Sequence, residues 1–461
     1  MNADIKILRL GDMIFHRQGS FVRRFVVAVF SIALRLFFRR IETVNVETVP
    51  KKGALIFVIN HPNGLIDPAL VFVALPRKIS FLAKSTLFRL PVISFLLKIV
   101  EALPLYRRVD EGEDISKNHK TFEICHQLLQ EGGAIALFPE GVSHNSPKLL
   151  PMKTGAARIA LGAISVNPEE KPIDLKIVPV GLFYTSKTTF RSEALLHFGE
   201  PFPVLPVSLD ENDQPPREAV KDLTEKIETA LREVTVNAES EAELEIANQA
   251  EKLFSSVSEG INLEQSLAER FVFLKQYFSD NSAENETNEE IKKRVSAYEA
   301  KLREFNIEAE NLSLSKHSFW FVFWHFLARM YLILLFLPVI IIGTILHFPA
   351  YQLCKILAYF YTKHGVDDIV STVKILAAML FMPLTWIVLA VALYFVWNWQ
   401  IALLSIPFSI LSGYVALRSL EELEDLRGWF RAVRLFYLKR ETFLQLLIER
   451  RALHQALKGK K

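Results

Sequence analysis

Residues 54–68 read ALIFVINHPNGLIDP, and this stretch decides the fold. Six apolar residues, Ala54 to Ile59, stand between Gly53 and a cluster of Asn, Pro and Gly. A run that short and unbroken fits a strand buried on both faces, since a strand with one wet face would alternate. Working outward, Ile79–Ala83, Ala134–Phe138 and Ile177–Tyr184 have the same character, while Asn118–Gln130 and Thr154–Ile164 have helical spacing. Strand and helix in alternation predict an α/β domain with a mostly parallel sheet over 45–209. Active groups in such sheets gather past the carboxyl ends of the strands. The residues after ALIFVIN and AIALF are therefore the first candidates.

After ALIFVIN come His61 and, six positions on, Asp67. Six steps of about 100° would put the two on different faces of a helix. A folded loop, which Gly64 permits, can bring them together. A carboxylate on one ring nitrogen fixes the tautomer and stabilises imidazolium, leaving the other nitrogen to take a proton. That is general-base equipment suited to an alcohol. Taken alone, the same pattern fits a capping aspartate beside a surface histidine, and so short a motif favours that plainer reading. No second histidine or acid stands nearby at ligand spacing, so no metal is expected.

After AIALF the chain runs Phe138-Pro139-Glu140-Gly141-Val142-Ser143-His144, then Lys153-Thr154-Gly155. Glu140 brings a carboxylate to the sheet edge. The helix expected to open at Thr154-Gly155 offers amides, beside Lys153, to an anion. Between the two sites lie Lys84 and the pair Arg107-Arg108, and arginine grips phosphate bidentately. Each of these cations, taken singly, reads as solvated surface charge.

In this order the segments resemble the glycerolipid acyltransferase superfamily, typified by lysophosphatidate and glycerol-3-phosphate acyltransferases. The resemblance covers about 45–205 and ends on the block Ile177-Val178-Pro179-Val180-Gly181. It implies His61 as the base, Asp67 as its orienter, and Glu140 and Gly141 as acceptor-binding or structural positions. Arg107 or Arg108 would contact phosphate. Two departures stand out: five residues rather than four separate His61 from Asp67, and FPEGVSH replaces the usual FPEGTRS. Both, with HPNxxxDP and LLPxKxGAA, look like the fungal-type glycerol-3-phosphate or dihydroxyacetone-phosphate acyltransferases. The arginine lost from the second motif leaves Lys153, His144 and Lys84 to supply its charge.

The rest of the 461 residues concerns the setting. Apolar residues make up 51% of the chain, which excludes a disordered protein. Cys125 and Cys354 are its two cysteines, too few for a disulfide framework or a thiolate zinc site. Over 210–310, 25 acidic residues face 12 basic ones, so a net charge of +3 conceals a basic, hydrophobic remainder. That combination points to a membrane surface, and no nucleic-acid signature accompanies it.

Five regions follow from this reading. Region 1–44 holds Phe25–Leu34, flanked by arginines, too short to span a bilayer and suited to an interfacial helix. No secretory signal is expected there. The acyltransferase domain (45–209) precedes an acidic helical region (210–316), in which Val220, Leu223, Ile227, Leu231 and Val234 form a packing stripe. Ser279–Glu290 reads as a surface loop or flexible joint.

Transmembrane helices are expected over 317–417, from the runs Met330–Leu346, Ile375–Trp397 and Ile401–Leu417. A basic tail (418–461) is expected in the cytoplasm. A cytoplasmic catalytic domain then requires an even number of crossings. Either Phe348–Tyr361 completes a fourth, or one run is interfacial or re-entrant.

The reading is a membrane enzyme moving a fatty acyl group from acyl-CoA or acyl-carrier protein to a hydroxyl of glycerol-3-phosphate or lysophosphatidate in phospholipid synthesis. No cofactor is expected beyond the acyl thioester, which is a substrate. Its partners would be that donor, a phosphorylated glycerol acceptor and the lipid membrane, with no nucleic acid. The alternatives are a lipid-ester hydrolase, for which a G-x-S-x-G elbow is missing, and a membrane scaffold or transporter carrying an inactive acyltransferase-like domain.

Overall fold

The computed structural model describes residues 4–15, 20–75, 77–89, 91–107, 110, 112–165, 173–211, 214–255, 266–280, 286–307, 309, 312, 319–362 and 370–458. The chain divides into two units, 1–238 with 365–372, and 239–364 with 373–461.

The first unit is built on one sheet. Its strands are β1 (Ile5–Ile7), β2 (Arg40–Val44), β3 (Ala54–Ile59), β4 (Ser80–Lys84), β5 (Leu103–Leu105), β6 (Ala134–Leu137), β7 (Leu175–Tyr184), β8 (Glu193–Phe198) and β9 (Phe202–Pro203). The order is β1-β2-β8-β7-β3-β6-β4-β5, with β9 on β7. From β7 to β5 every neighbour is parallel, while β8 turns antiparallel to β7, and β1 to β2. The expected mostly parallel sheet is therefore present, with antiparallel pairing added at one side. β3 lies at the centre with all six residues buried, as an unbroken ALIFVI requires.

Helices α1 (Leu10–Phe15), α2 (Phe21–Phe37), α3 (Ile66–Ala74), α4 (Pro91–Ile99), α5 (Asn118–Gln130), α6 (Gly155–Ser165) and α7 (Arg217–Val234) complete this unit. α2 starts on a Ser20 cap whose hydroxyl oxygen accepts the Arg23 N–H. It buries Val26, Val27, Leu34 and Phe37 and exposes Phe21, Phe25, Ile32 and Leu36.

α7 corrects the sequence-based boundary at 209/210. Its stripe Val220, Leu223, Ile227, Leu231 and Val234 is buried in the same core as β3, β6 and β7. A Cβ at Gly181 would fall 1.6 Å from the Val234 carbonyl oxygen, so glycine is what lets this helix end reach β7. The acidic composition of the region describes the helix's wet face, and burial follows the stripe.

The second unit holds α8 (Glu241–Ser255), α9 (Leu267–Asp280), α10 (Glu286–Phe305), α11 (Phe319–Thr362), α12 (from Val373 of Val370–Val396), α13 (Trp399–Leu438) and α14 (Arg440–Lys458). Three of them, α11, α12 and α13, are long and apolar enough to cross a membrane. Phe348–Tyr361 continues α11 through Pro349 and forms no separate helix, which speaks against one of the two alternatives, a fourth crossing there.

Close packing joins α11 and α13: a Cβ at Gly343 would lie 2.2 Å from the Ser412 carbonyl oxygen. His347 ties in α12, accepting the Trp386 indole N–H on Nε2 at 2.8 Å and donating from Nδ1 to the Gly343 carbonyl at 2.8 Å. Within the basic 418–461 region, residues 418–458 are almost wholly helical. α13 runs on to Leu438, α14 follows, and Trp429, Phe443, Leu446 and Leu453 are buried. Arg450 is itself buried and donates to the Ala309 carbonyl at 2.8 Å. Of the stretch read as a joint, residues 279–280 and 286–290 are helical, and 281–285 lie outside the described residues.

Candidate active site

Strand register assembles the site. β3 and β6 run parallel with Val58 opposite Leu137, an offset that carried three residues further sets His61 opposite Glu140. The His61 backbone N–H donates to Glu140 Oε1 at 2.8 Å, so a carboxylate takes over where the ladder stops. On the other side Asn60 extends the β3–β7 pairing, its side chain donating to the Leu182 carbonyl at 3.1 Å and accepting the Leu182 N–H at 2.7 Å. The edge of three central strands is thus sewn together by side chains.

His61 and Asp67 meet. Nδ1 of His61 lies 2.8 Å from Asp67 Oδ2. Gly64 makes the turn with φ +43° and Asp67 sits in the first turn of α3, where the helix dipole favours a negative charge. Asp67 is fully buried and saturated: Oδ2 also accepts the Asn63 N–H at 2.7 Å, and Oδ1 accepts the Tyr184 hydroxyl at 2.5 Å. The ring of His61 stacks on Phe138, centroids 4.0 Å apart. Nε2 makes no hydrogen bond among the described residues, and the side chain is 18% exposed. Stacked, held at Nδ1 and open at Nε2, the imidazole can accept one proton from outside the fold.

Glu140 has a different part from the acceptor-binding one that the resemblance allows. Its carboxylate is buried, and both oxygens are taken by the protein: Oε1 by His61 N–H, Oε2 by the Leu150 N–H at 2.9 Å and by His144 Nε2. With its side chain out of reach of solvent and both oxygens serving the fold, Glu140 is an anchor. Gly141, with φ +79°, makes the turn that follows.

Arg107 donates to the Gly141 carbonyl at 2.5 Å and grips Asp110 bidentately at 2.9 Å, while Lys84 reaches Asp110 at 2.9 Å. The Arg107 hydrogen bond, outweighing burial, holds the Asp110 carboxyl below the usual carboxylate range, with help from Lys84. Arg107 and Lys84 therefore share one carboxylate, which offsets one of their two positive charges. Lys153 donates its backbone N–H to the Pro139 carbonyl at 2.7 Å, and its exposed side chain has no acidic partner among the described residues. Of the three residues expected to replace the missing arginine, Lys153 is the one left open to an anion. Arg108 lies outside the described residues.

Tyr184 belonged to no motif in the sequence, and Asn63 and Phe138 stood in motifs without a role. Tyr184 is 117 residues from Asp67, and its signal is its place as the last residue of a strand run parallel to β3. Burial first, then the Asp67 charge, pushes its hydroxyl well above the usual phenol range, so it remains a donor. The folded state then holds this proton more tightly than the unfolded chain. Stability on this account falls as pH rises past about 10, where the unfolded phenol ionises. Tyr184→Phe is expected to flatten that alkaline loss in melting curves, and to lower the rate of the site's reaction by about tenfold for one hydrogen bond removed from a carboxylate.

With this geometry in place, the chain can be compared with known proteins. Residues 40–182 match the family described as Acyltransferase. Residues 246–459 match the Glycerol-3-phosphate acyltransferase 2 C-terminal domain. The chain therefore joins an acyltransferase-family domain to a C-terminal domain of the glycerol-3-phosphate acyltransferase 2 type. Glycerol-3-phosphate O-acyltransferase 2 of Saccharomyces cerevisiae is 29% identical over 310 residues, covering 64% of this chain and 41% of that protein. Glycerol-3-phosphate O-acyltransferase 1 of the same yeast is 29% identical over 287 residues, covering 58% of this chain and 36% of that protein. The chain thus spans less than half the length of either relative. A solved 1-acyl-sn-glycerophosphate acyltransferase from Thermotoga maritima is 18% identical at a TM-score of 0.33, covering 47% of this chain and 82% of that one, a likeness too low to carry an argument.

Proposed function

We propose that the first unit transfers a fatty acyl group from an acyl thioester, acyl-CoA or acyl-carrier protein, to a hydroxyl of glycerol-3-phosphate or lysophosphatidate. The observation that carries this reading is the imidazole of His61, fixed at Nδ1 by a saturated Asp67 and open at Nε2 on the carboxyl edge of the sheet. His61 Nε2 takes the hydroxyl proton as the oxygen attacks the thioester carbonyl. The tetrahedral intermediate then collapses, the C–S bond breaks, and the thiolate recovers the proton from His61. Asp67 holds the imidazolium while it exists. Lys153 is placed beside the Pro139–Gly141 turn to meet the acceptor's phosphate, and Arg107 can join it by releasing Asp110.

A membrane setting suits this chemistry, since acyl chains and their glycerolipid products partition to the bilayer. α11, α12 and α13 supply helices of spanning length, and the exposed apolar face of α2 suits the bilayer surface. The catalytic unit would face the cytoplasm. The test is purified full chain with radiolabelled acyl-CoA and glycerol-3-phosphate, dihydroxyacetone phosphate and lysophosphatidate offered side by side. An acyl ester of a phosphorylated acceptor is expected. Release of free fatty acid with no ester product would mark a hydrolase, and no turnover of any pair would leave a scaffold role.

A further inference from the structure

The loops that carry His61 and Asp67 are also held by residues from far along the chain. Residues 365–372 cluster with the first unit, and the described part of that segment, Val370–Thr372, is buried there. The Leu65 backbone N–H donates to Thr372 Oγ1 at 3.2 Å, across 307 residues of sequence. Ser371 Oγ donates to the Lys187 carbonyl, which also accepts from Asn63 Nδ2 at 3.2 Å. Lys187 in turn donates from Nζ to the His144 carbonyl at 3.3 Å.

We infer that Ser371 and Thr372 are positioning residues, whose hydroxyls fasten the His61–Asp67 loop in its working shape. Leu65 is the residue on which α3 begins, two positions before Asp67, and its N–H points out of the helix start with no partner inside α3. Thr372 is the group that satisfies it. Asn63 gives its backbone N–H to Asp67 and its side chain to the Lys187 carbonyl, so the acceptor that Ser371 secures also fixes the residue that helps saturate Asp67. Thr372 therefore holds the Asp67 loop directly at Leu65, and Ser371 indirectly through the carbonyl that Asn63 binds, on either side of Gly64, the one residue there with positive φ. Ser371 and Thr372 are 1% and 3% exposed, and among the described residues neither hydroxyl bonds His61, so they act through the loop and not on substrate. A glycine-hinged loop is the kind of element that small errors in placement disable, because catalysis depends on sub-ångström position. An acyltransferase unit cut off before residue 370 would lack both fastenings.

The activity arm of the test rests on the acyl-transfer reading, and the exchange arm does not. The full chain in detergent is compared with Thr372→Val, which keeps the shape and removes the hydroxyl, with Thr372→Ser, which keeps the hydroxyl, and with Ser371→Ala. Hydrogen–deuterium exchange is followed at the Leu65 amide, and kcat and KM are measured with acyl-CoA and glycerol-3-phosphate. Thr372→Val is expected to speed Leu65 exchange and lower kcat by about tenfold each, for one lost hydrogen bond, with KM and melting temperature near wild type. Thr372→Ser is expected to restore both, and Ser371→Ala to lower kcat in the same manner. Leu65 exchanging at the wild-type rate in Thr372→Val would overturn the inference. So would faster exchange with unchanged kcat, or a Thr372→Ser variant as impaired as Thr372→Val. A wild-type chain without transferase activity would defeat the functional reading, and Leu65 exchange would still decide whether the fastening exists.

Discussion

Replacing His61 with alanine is expected to lower acyl transfer by 10²–10⁴-fold, roughly the span that general acid–base catalysis contributes, with a fall in melting temperature smaller than that of Glu140→Ala, because one of three hydrogen bonds to buried Asp67 is lost. The expectation follows from how the ring is held. Nδ1 is committed to Asp67 and one face to Phe138, but the fold draws no hydrogen bond from Nε2. The His61 backbone N–H, which does serve the fold through Glu140, survives the substitution. A steady-state assay on the purified full chain, with a melting curve on the same sample, separates chemistry from folding. Retention of wild-type turnover in a folded His61→Ala protein would remove the base from the mechanism.

Glu140→Ala is expected to be as damaging by a different route. Two part-buried amides, of His61 and Leu150, and Nε2 of His144 lose their acceptor at once. A fully buried donor left unpaired costs about 1–3 kcal/mol, so the two part-buried amides together cost up to roughly 6 kcal/mol. A large fall in melting temperature should therefore accompany the loss of activity, and Glu140→Gln, which keeps one acceptor oxygen, should lie between. If Glu140 instead bound the acceptor directly, Glu140→Ala would raise KM and leave the melting curve alone. Thermal unfolding of the two variants beside wild type distinguishes these outcomes.

What could be read from the sequence divides along physical lines. Runs such as ALIFVI and AIAL declare themselves because a strand buried on both faces carries no polar alternation. The meeting of His61 with Asp67 was legible as an option once Gly64 supplied a bend, and residue type alone could not settle it. β2 and β8 were hidden for the opposite reason. Their charged residues look like surface, yet Glu42 is buried and Arg40 pairs with Glu42 at 3.4 Å and with Glu193 at 3.0 Å across adjacent strands.

Composition misplaced α7 because a charge count averages the wet and dry faces of a helix. The parts of the site that were not legible are the ones contributed by distance. Tyr184, Ser371 and Thr372 carry no local signature, and only strand register and the return of the chain bring them to the His61 loop. The positive charges divided in the same way: Lys84, Arg107 and Lys153 looked alike in sequence, and Asp110 is what sets the first two apart from the third.

In the proposed reaction the base on this loop couples two bond changes, opening a thioester and closing an ester. The most direct measurement follows both in one sample of the full chain with acyl-CoA and a phosphorylated glycerol acceptor, free thiol by colorimetry and acylated product by mass spectrometry. One thiol released for each ester formed, with both falling together in His61→Ala, is the predicted result. Thiol release that continues without acceptor, or ester formation that survives loss of His61, would contradict it.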